Sequence, residues 1–175
     1  MESPVPNTTA NTAQLDLAHR KLVLEGNIKS GMSWFYFIAI LSIVNSIIYK
    51  FGGGLSFIVG LGITQLIDGI TTAFAQEVAD GSTGTIITVI AIILDILVAG
   101  FFALCGFLGQ KRFRWVVVIG MVLYALDAFI FVAFGDWLPA LFHAYALWGL
   151  WRGLKGLNDL AALENANQSP AVPQF

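Results

Sequence analysis

Long runs of apolar residues dominate the chain, and only isolated polar positions interrupt them. The four longest runs are residues 31–49, 55–75, 85–108 and 115–134. A helix that crosses a hydrocarbon core of about 30 Å needs roughly 20 mainly apolar residues, which each of these runs approaches or exceeds. A fifth and shorter run, residues 137–151, ends beside Arg152 and Lys155, whose aliphatic stems can lie along apolar surface. The pattern predicts an all-α, polytopic membrane helical bundle with five membrane-depth helices.

Short polar connections separate the five runs. They are residues 50–54, rich in glycine, 76–84, acidic and polar, 109–114, basic, and 135–136, a two-residue turn. Short connections make consecutive helices antiparallel and leave no room for an extramembrane domain between them. The second and third runs contain no Trp or Tyr, the residues that favour the membrane interface, so we expect these two helices to be the inner members of the bundle.

The chain therefore divides into three predicted parts. Residues 1–30 form a polar tail, of which residues 12–28 could fold as an amphipathic interfacial helix. Residues 31–157 form the transmembrane helical bundle, and residues 158–175 form a polar C-terminal tail. The first thirty residues lack a charged start followed by an apolar stretch and a cleavage site, so we expect no removable signal peptide.

The orientation of the bundle depends on whether the second run crosses the membrane. With five crossings, three Lys and Arg residues lie on the N-terminal side and six on the other, so the positive-inside rule places the N-terminus outside and the basic connection 109–114 in the cytoplasm. If the glycine-rich residues 51–62 made the second run re-entrant, only Lys50 would remain outside. A re-entrant backbone needs shelter by protein or a water-filled cavity, so we favour five crossings.

Composition and charge support the membrane interpretation and narrow the class of partner. The chain is 57% hydrophobic and 11% charged, with a net charge of -2, whereas soluble domains are about 25% charged. Such a balance does not favour a nucleic-acid partner. We expect the lipid bilayer to be the principal partner, with a homo-oligomer or a larger membrane complex as the protein partner, and a bacterial inner membrane as the location. The single cysteine, Cys105, cannot form an intrachain disulfide and resembles a small buried hydrophobe.

Ionisable residues inside the apolar runs are the candidates for function, because a charge at bilayer depth is costly and usually faces the bundle interior. They are Asp68, Asp95, Asp127 and His143, and Asn45 adds a neutral polar group. Counting inward from residues 76–84 and 135–136 at about 1.5 Å per residue places the four ionisable groups at roughly 10, 15, 10 and 9 Å. They therefore share one slab, and they meet if their helices face each other.

Small and polar residues recur at the helical spacing on three of the runs, which indicates faces that pack inward. The rows are Thr64, Asp68 and Thr72, flanked by Gln65, on the second run, Ala91, Asp95 and Ala99 on the third, and Ser42, Asn45 and Ser46 on the first. Two explanations stay open for Asp68 and its row: a polar lining for an ion or substrate, or hydrogen bonds between helices. For Asp95 the alternative to a functional role is a protonated acid that donates one hydrogen bond in a dry interface.

Three classes of function remain. The sequence shows no catalytic constellation and no zinc-ligand spacing, so we expect no catalytic residue, no cofactor and no metal, and an enzyme is the least favoured class. The leading hypothesis is a structural or accessory subunit of a membrane assembly. The alternative is a small transporter or proton-coupled channel component that uses the intramembrane Asp and His residues. Acids that line a hydrated cavity open to one side would favour transport, whereas acids buried in dry hydrogen-bonded pairs would favour the structural class.

The sequence predicts one contact between the fourth and fifth helices. Asp127 and His143 have matching depths, and only the turn at residues 135–136 separates their helices, so their side chains should lie within direct or one-water hydrogen-bond reach. Side chains on opposite faces of the bundle would contradict this prediction.

Overall fold

The computed structural model describes residues 8–50, 60–77 and 81–168. All regular structure in these residues is helical, which confirms the predicted fold class. The five helices are α1 Thr8–Lys50, α2 Gly62–Glu77, α3 Gly81–Gln110, α4 Arg114–Ala133 and α5 Trp137–Gln168.

Three of the five helices, α1, α3 and α4, are long and apolar enough to cross a membrane. The prediction of five membrane-depth helices is therefore not supported. Helix α2 has 16 described residues, a length of about 24 Å, and residues 55–59 of the predicted second run lie outside the described part. Helix α5 is long, but its apolar half carries a histidine and several Trp and Tyr residues and ends at Arg152, which lowers its hydropathy.

Helices α1 and α2 run in the same direction, not antiparallel as predicted. The Leu61 N–H donates a hydrogen bond of 2.8 Å to Ser42 Oγ. Further along both helices, the Lys50 ammonium forms an ion pair with Asp68. Helix α2 therefore starts inside the bundle and ends beside the C-terminus of α1. This direction matches the re-entrant arrangement, which was the less favoured prediction. Helix α2 packs against α1, α3 and α4, and these helices supply the surrounding protein that a re-entrant backbone needs.

Helices α1 and α5 meet the connection between α3 and α4 at one end of the bundle. Arg112 Nη1 lies 2.9 Å from Glu164 Oε1, and Arg112 Nη2 lies 3.5 Å from Glu25 Oε1. We name this end the basic end, formed by residues 8–29, 111–114 and 152–168, and the other the opposite end. Five crossings would place residue 112 and the N-terminal tail on different sides of the membrane, so these contacts do not support that arrangement.

The boundaries predicted at residues 30 and 158 do not interrupt the helices. Helix α1 continues for 43 residues and α5 for 32, lengths of about 65 and 48 Å that exceed a hydrocarbon core. Their outer halves pack against each other through buried Ile28, Leu157 and Leu160. The predicted interfacial helix and the first part of the predicted C-terminal tail are thus one antiparallel helix pair, because each covers the apolar stripe of the other.

The two described interhelical turns use the same backbone pattern. At the end of α3, the Phe113 N–H donates to Leu108 O and the Arg112 N–H donates to Gly109 O. At the end of α4, Asp136 and Gly135 make the equivalent hydrogen bonds, and Gly135 has φ 78°. This paired pattern satisfies the last carbonyls of a helix and requires a left-handed residue, which glycine supplies without strain. The predicted turn at residues 135–136 is confirmed.

The central helix is α1, which packs against α2, α3 and α5. Its buried residues Met32, Phe35 and Ile38 form the middle of the apolar core. The expectation that α3 is an inner helix is wrong, because α3 exposes a broad face of Ile, Leu and Phe side chains. The absence of Trp and Tyr from α3 therefore marks a surface suited to hydrocarbon, not a buried position.

The crossing of α1 and α5 depends on two glycines. A Cβ placed on Gly31 would lie 2.7 Å from the backbone nitrogen of Gly153 and 3.1 Å from Gly149 O, so neither backbone could stay in place. Small residues at such crossings allow two membrane helices to approach closely.

We expect Gly31→Ala to destabilise the protein by about 1–3 kcal/mol through overpacking at this crossing. Gly26→Ala is the matched control in the same helix, since a Cβ there meets nothing within 4 Å, and it should stabilise by about 0.5–1 kcal/mol. Thermal unfolding of both variants in detergent measures the difference. Equal unfolding temperatures would contradict the close crossing.

Candidate functional site

The first turn of α2 receives its hydrogen-bond acceptors from two other helices. The N–H groups of Gly62 and Ile63 donate to Asp127 Oδ2 and Oδ1 of α4, at 2.7 and 2.8 Å. The N–H of Leu61 donates to Ser42 of α1. The first N–H groups of a helix have no partner within it and carry a partial positive charge. A carboxylate from another helix therefore performs here the role that a local capping residue usually performs.

His143 of α5 contacts the same carboxylate, which confirms the predicted pair. Its Nε2 lies 3.0 Å from Asp127 Oδ2, and its Nδ1 lies 2.8 Å from Pro139 O. A carbonyl oxygen can only accept, so Nδ1 must carry a proton. Nε2 then needs a second proton to face the carboxylate. The geometry fits an imidazolium beside a carboxylate, and the two N–H groups of α2 stabilise the negative partner.

Aromatic rings enclose this pair. The ring of Tyr124 stacks on His143 with centroids 4.2 Å apart, and the ring of Phe131 lies 5.1 Å from it. His143 is fully buried and Asp127 is 5% exposed. The pair thus lies in a dry environment, where hydrogen bonds between charged groups are strong and a missing partner is costly.

A second polar group lies further along α2, toward the opposite end. The Lys50 ammonium of α1 pairs with Asp68 Oδ1 of α2. Asp68 is 1% exposed, whereas the Lys50 side chain is 20% exposed. Asp95 of α3 completes the group, because the charges acting on it are those of Asp68 and Lys50, and Ser46 faces it from α1.

Asp95 differs from the other intramembrane acids in its lack of partners. It is 2% exposed, and neither of its carboxylate oxygens has a hydrogen-bond partner among the described residues. The neighbouring Ser46 Oγ is also buried without a partner. Buried polar atoms in proteins are nearly always paired, so three unpaired oxygen atoms in one place require an explanation.

The four ionisable groups therefore form two clusters and not one. Asp127 contacts residues 62 and 63, and the second cluster surrounds Asp68, about 9 Å further along the axis of α2. The expectation that all four groups share one depth was obtained by counting residues from the connections. That count holds only if α2 crosses the whole bundle. Because α2 starts at the level of Ser42, its residues are displaced relative to α4 and α5.

The remaining predicted site residues lie on or beside α2. Thr64 is fully buried and donates from Oγ1 to Leu61 O at 2.8 Å. Asn45 is 4% exposed and faces Gly60. Gln65 is half-buried in a groove against α4, apart from both clusters. Thr72 is half-buried and lines a cavity.

This cavity opens at the opposite end of the bundle and has a volume of about 520 Å³. The polar residues that line it are Tyr49, Lys50, Thr71, Thr72, Gln76, Thr85 and Thr88. It lies between the C-terminal halves of α1 and α2 and the N-terminal half of α3. Lys50 thus joins the cavity to the buried Asp68.

Lys50 and Ser46 of this group are not among the site residues that the sequence predicts. In the sequence, Lys50 lies in a connection between two apolar runs. If the second run is re-entrant, Lys50 is the one Lys or Arg residue on the side opposite to all the others. Ser46 was placed on the correct face, but a hydroxyl on a helix gives no sign of which neighbour it meets.

Comparison of the chain with protein-family models, with curated proteins and with solved structures gave no match. The function is therefore argued from the arrangement of its own residues.

We expect Asp127→Leu to destabilise the protein strongly, because it leaves two N–H groups of α2 and the His143 imidazole without an acceptor. Each stranded group costs about 1–3 kcal/mol. Asp127→Asn keeps one acceptor oxygen and should fall between the wild type and the leucine variant. Thermal unfolding in detergent measures the order.

Asp159→Asn is the control, since Asp159 is an exposed acid on α5, and its unfolding temperature should equal that of the wild type. An Asp127→Leu variant as stable as this control would contradict the role assigned to the carboxylate.

Proposed function

We propose that this chain is a small proton-coupled transporter or channel component of a membrane. The observation that carries the proposal is the polar cavity that opens at the opposite end and reaches Lys50, behind which Asp68 and Asp95 are buried. Ionisable groups at membrane depth mark ion and proton pathways. The intramembrane acids do not line this cavity themselves, and Lys50 connects it to Asp68.

The re-entrant helix supports the same proposal. Interrupted helices that begin inside a bundle are a recurring way to place a helix terminus at a binding site in transporters. Here the start of α2 lies next to Asp127, and the same helix carries Asp68 two turns later. Toward the basic end, the bundle is filled by apolar side chains such as Met32, Phe35 and Val117. The arrangement corresponds to a state accessible from the opposite end and closed at the basic end.

The membrane arrangement that we propose has four crossings. Helix α5 would be the fourth, since its apolar half packs along α1 and α4. With α2 re-entrant, eight of the nine Lys and Arg residues lie at the basic end and Lys50 alone at the opposite end. The positive-inside rule then places the basic end in the cytoplasm. A bacterial inner membrane as the location stays a prediction.

A second candidate is a structural or accessory subunit, in a homo-oligomer or a larger membrane complex. It is supported by the Asp127–His143 cluster, whose hydrogen-bonding groups are used in holding α2, α4 and α5 together. Dry pairs of this kind were expected of a structural protein. Purification in mild detergent, with quantification of chains that co-purify at fixed stoichiometry, tests this candidate.

Cysteine labelling from outside intact cells tests the orientation. In a Cys105→Ala background, Leu15→Cys and Lys111→Cys should stay unreactive toward an impermeant maleimide, and Asp136→Cys should react. Permeabilised cells supply the control for accessibility. Reaction of Leu15→Cys together with protection of Lys111→Cys would restore five crossings and overturn the re-entrant arrangement.

Proton flux into liposomes tests the proposed function. Purified protein should acidify the lumen under an inward proton gradient with a potassium–valinomycin clamp, and Asp68→Asn should reduce the flux to that of protein-free liposomes, because Lys50 loses its counter-charge. Asp136→Asn, an exposed acid at the α4–α5 turn, should keep the wild-type flux. A wild-type flux equal to that of empty liposomes would reject proton conduction.

A further inference from the structure

The buried charges inside the bundle do not balance. The Asp127 carboxylate is matched by the His143 imidazolium, and the Asp68 carboxylate by the Lys50 ammonium. Asp95 has no cation of its own among the described residues, although it is 2% exposed. An ionised carboxylate in such a place is strongly unfavourable unless a positive charge or a proton joins it. The structure therefore calls for one more positive charge at Asp95.

We propose that Asp95, together with Ser46 and Asp68, forms a binding site for one monovalent cation, and that this cation is a proton. This site deepens the proposed function. The role of the bound proton in transport rests on that function, whereas the binding of the proton does not.

The unpaired atoms define where the proton binds. Both oxygens of Asp95 and the Oγ of Ser46 are buried without partners. A proton on one Asp95 oxygen turns that oxygen into a donor, and the neighbouring Asp68 carboxylate can accept from it. The Ser46 hydroxyl can donate to the other Asp95 oxygen. One proton therefore gives Asp95 a hydrogen bond that it otherwise lacks among the described residues.

An alkali ion fits this group less well than a proton does. Alkali ions are held by several oxygen ligands, and here the Lys50 ammonium already occupies Asp68 Oδ1. The groups that face Asp95 are Ser46 and Lys50 from α1 and Asp68 from α2. Two neighbouring carboxylates that share a single proton are a familiar arrangement in proteins, because like charges at short range do not both ionise.

The route to the site begins in the polar cavity. Lys50 lines that cavity and contacts Asp68, and Asp68 lies next to Asp95. A proton entering from the opposite end thus meets a cationic side chain first and reaches Asp95 through the Asp68 carboxylate. Movement of Lys50 away from Asp68 would open this route, and its return would close it.

Infrared spectroscopy of the full chain in detergent tests the site directly. The wild type at neutral pH should show the carbonyl band of a protonated carboxylic acid, and Asp95→Asn should lose it. Asp16→Asn is the control, since Asp16 is an exposed acid on α1, and should keep the band. Ser46→Ala retains the acid and should shift the band by removing its hydrogen-bond donor, so the test survives if Asp95→Asn does not fold.

Thermal unfolding supplies a second readout. Raising the pH removes the proton and leaves an unmatched buried charge, so the wild-type unfolding temperature should fall with rising pH more than that of Asp95→Asn. Exchanging choline for sodium at constant ionic strength should have no effect. Stabilisation by sodium in the wild type alone, without an acid band, would overturn the assignment to a proton.

The outcomes separate the site from the proposed function. An acid band that depends on Asp95, in a protein without flux, would support the site and reject transport. Flux without the band would support transport and overturn the site. A spectrum without the band, together with unfolding temperatures insensitive to pH and sodium, would overturn the site whatever the flux.

Discussion

The Asp127 carboxylate is the group on which the arrangement of the bundle depends. A helix that begins inside an apolar bundle leaves its first N–H groups without water, and each unpaired group is costly there. Asp127 accepts two of these N–H groups and the His143 imidazole, so one side chain joins α2, α4 and α5. Because α2 can begin at this depth, it returns to the end from which it entered. The meeting of Lys50 with Asp68 follows from that.

Features set by local spacing could be predicted from the sequence. The apolar runs identify α1, α3 and α4 as helices long and apolar enough to cross a membrane, and the helical period places Asp95, Thr64 and Asp68 on buried faces. The contact between Asp127 and His143 could be predicted because only a three-residue connection separates their helices. In each case the information lies within about two helical turns or within one short connection.

Features set by distant contacts could not be predicted in this way. A sheltered re-entrant helix is as apolar as a crossing one, so hydropathy does not distinguish them. What distinguishes them here is the carboxylate of α4, which lies 64 residues from Ile63. The same holds for the ends of α1 and α5, whose pairing depends on a glycine crossing and on Arg112 between Glu25 and Glu164. Position along the chain carried little information about these contacts.

The distance along the chain between the start of α2 and its acceptor has a consequence for biosynthesis. The ribosome completes Ile63 long before Asp127, and at roughly 5–20 residues per second the delay for 64 residues is about 3–13 s. During this interval Ser42 is, among the described residues outside α2, the acceptor already synthesised for the N–H groups at the start of α2. The segment must therefore wait in contact with water or the insertion machinery until α4 arrives. The order of synthesis thus makes the re-entrant helix one of the last elements to reach its final depth.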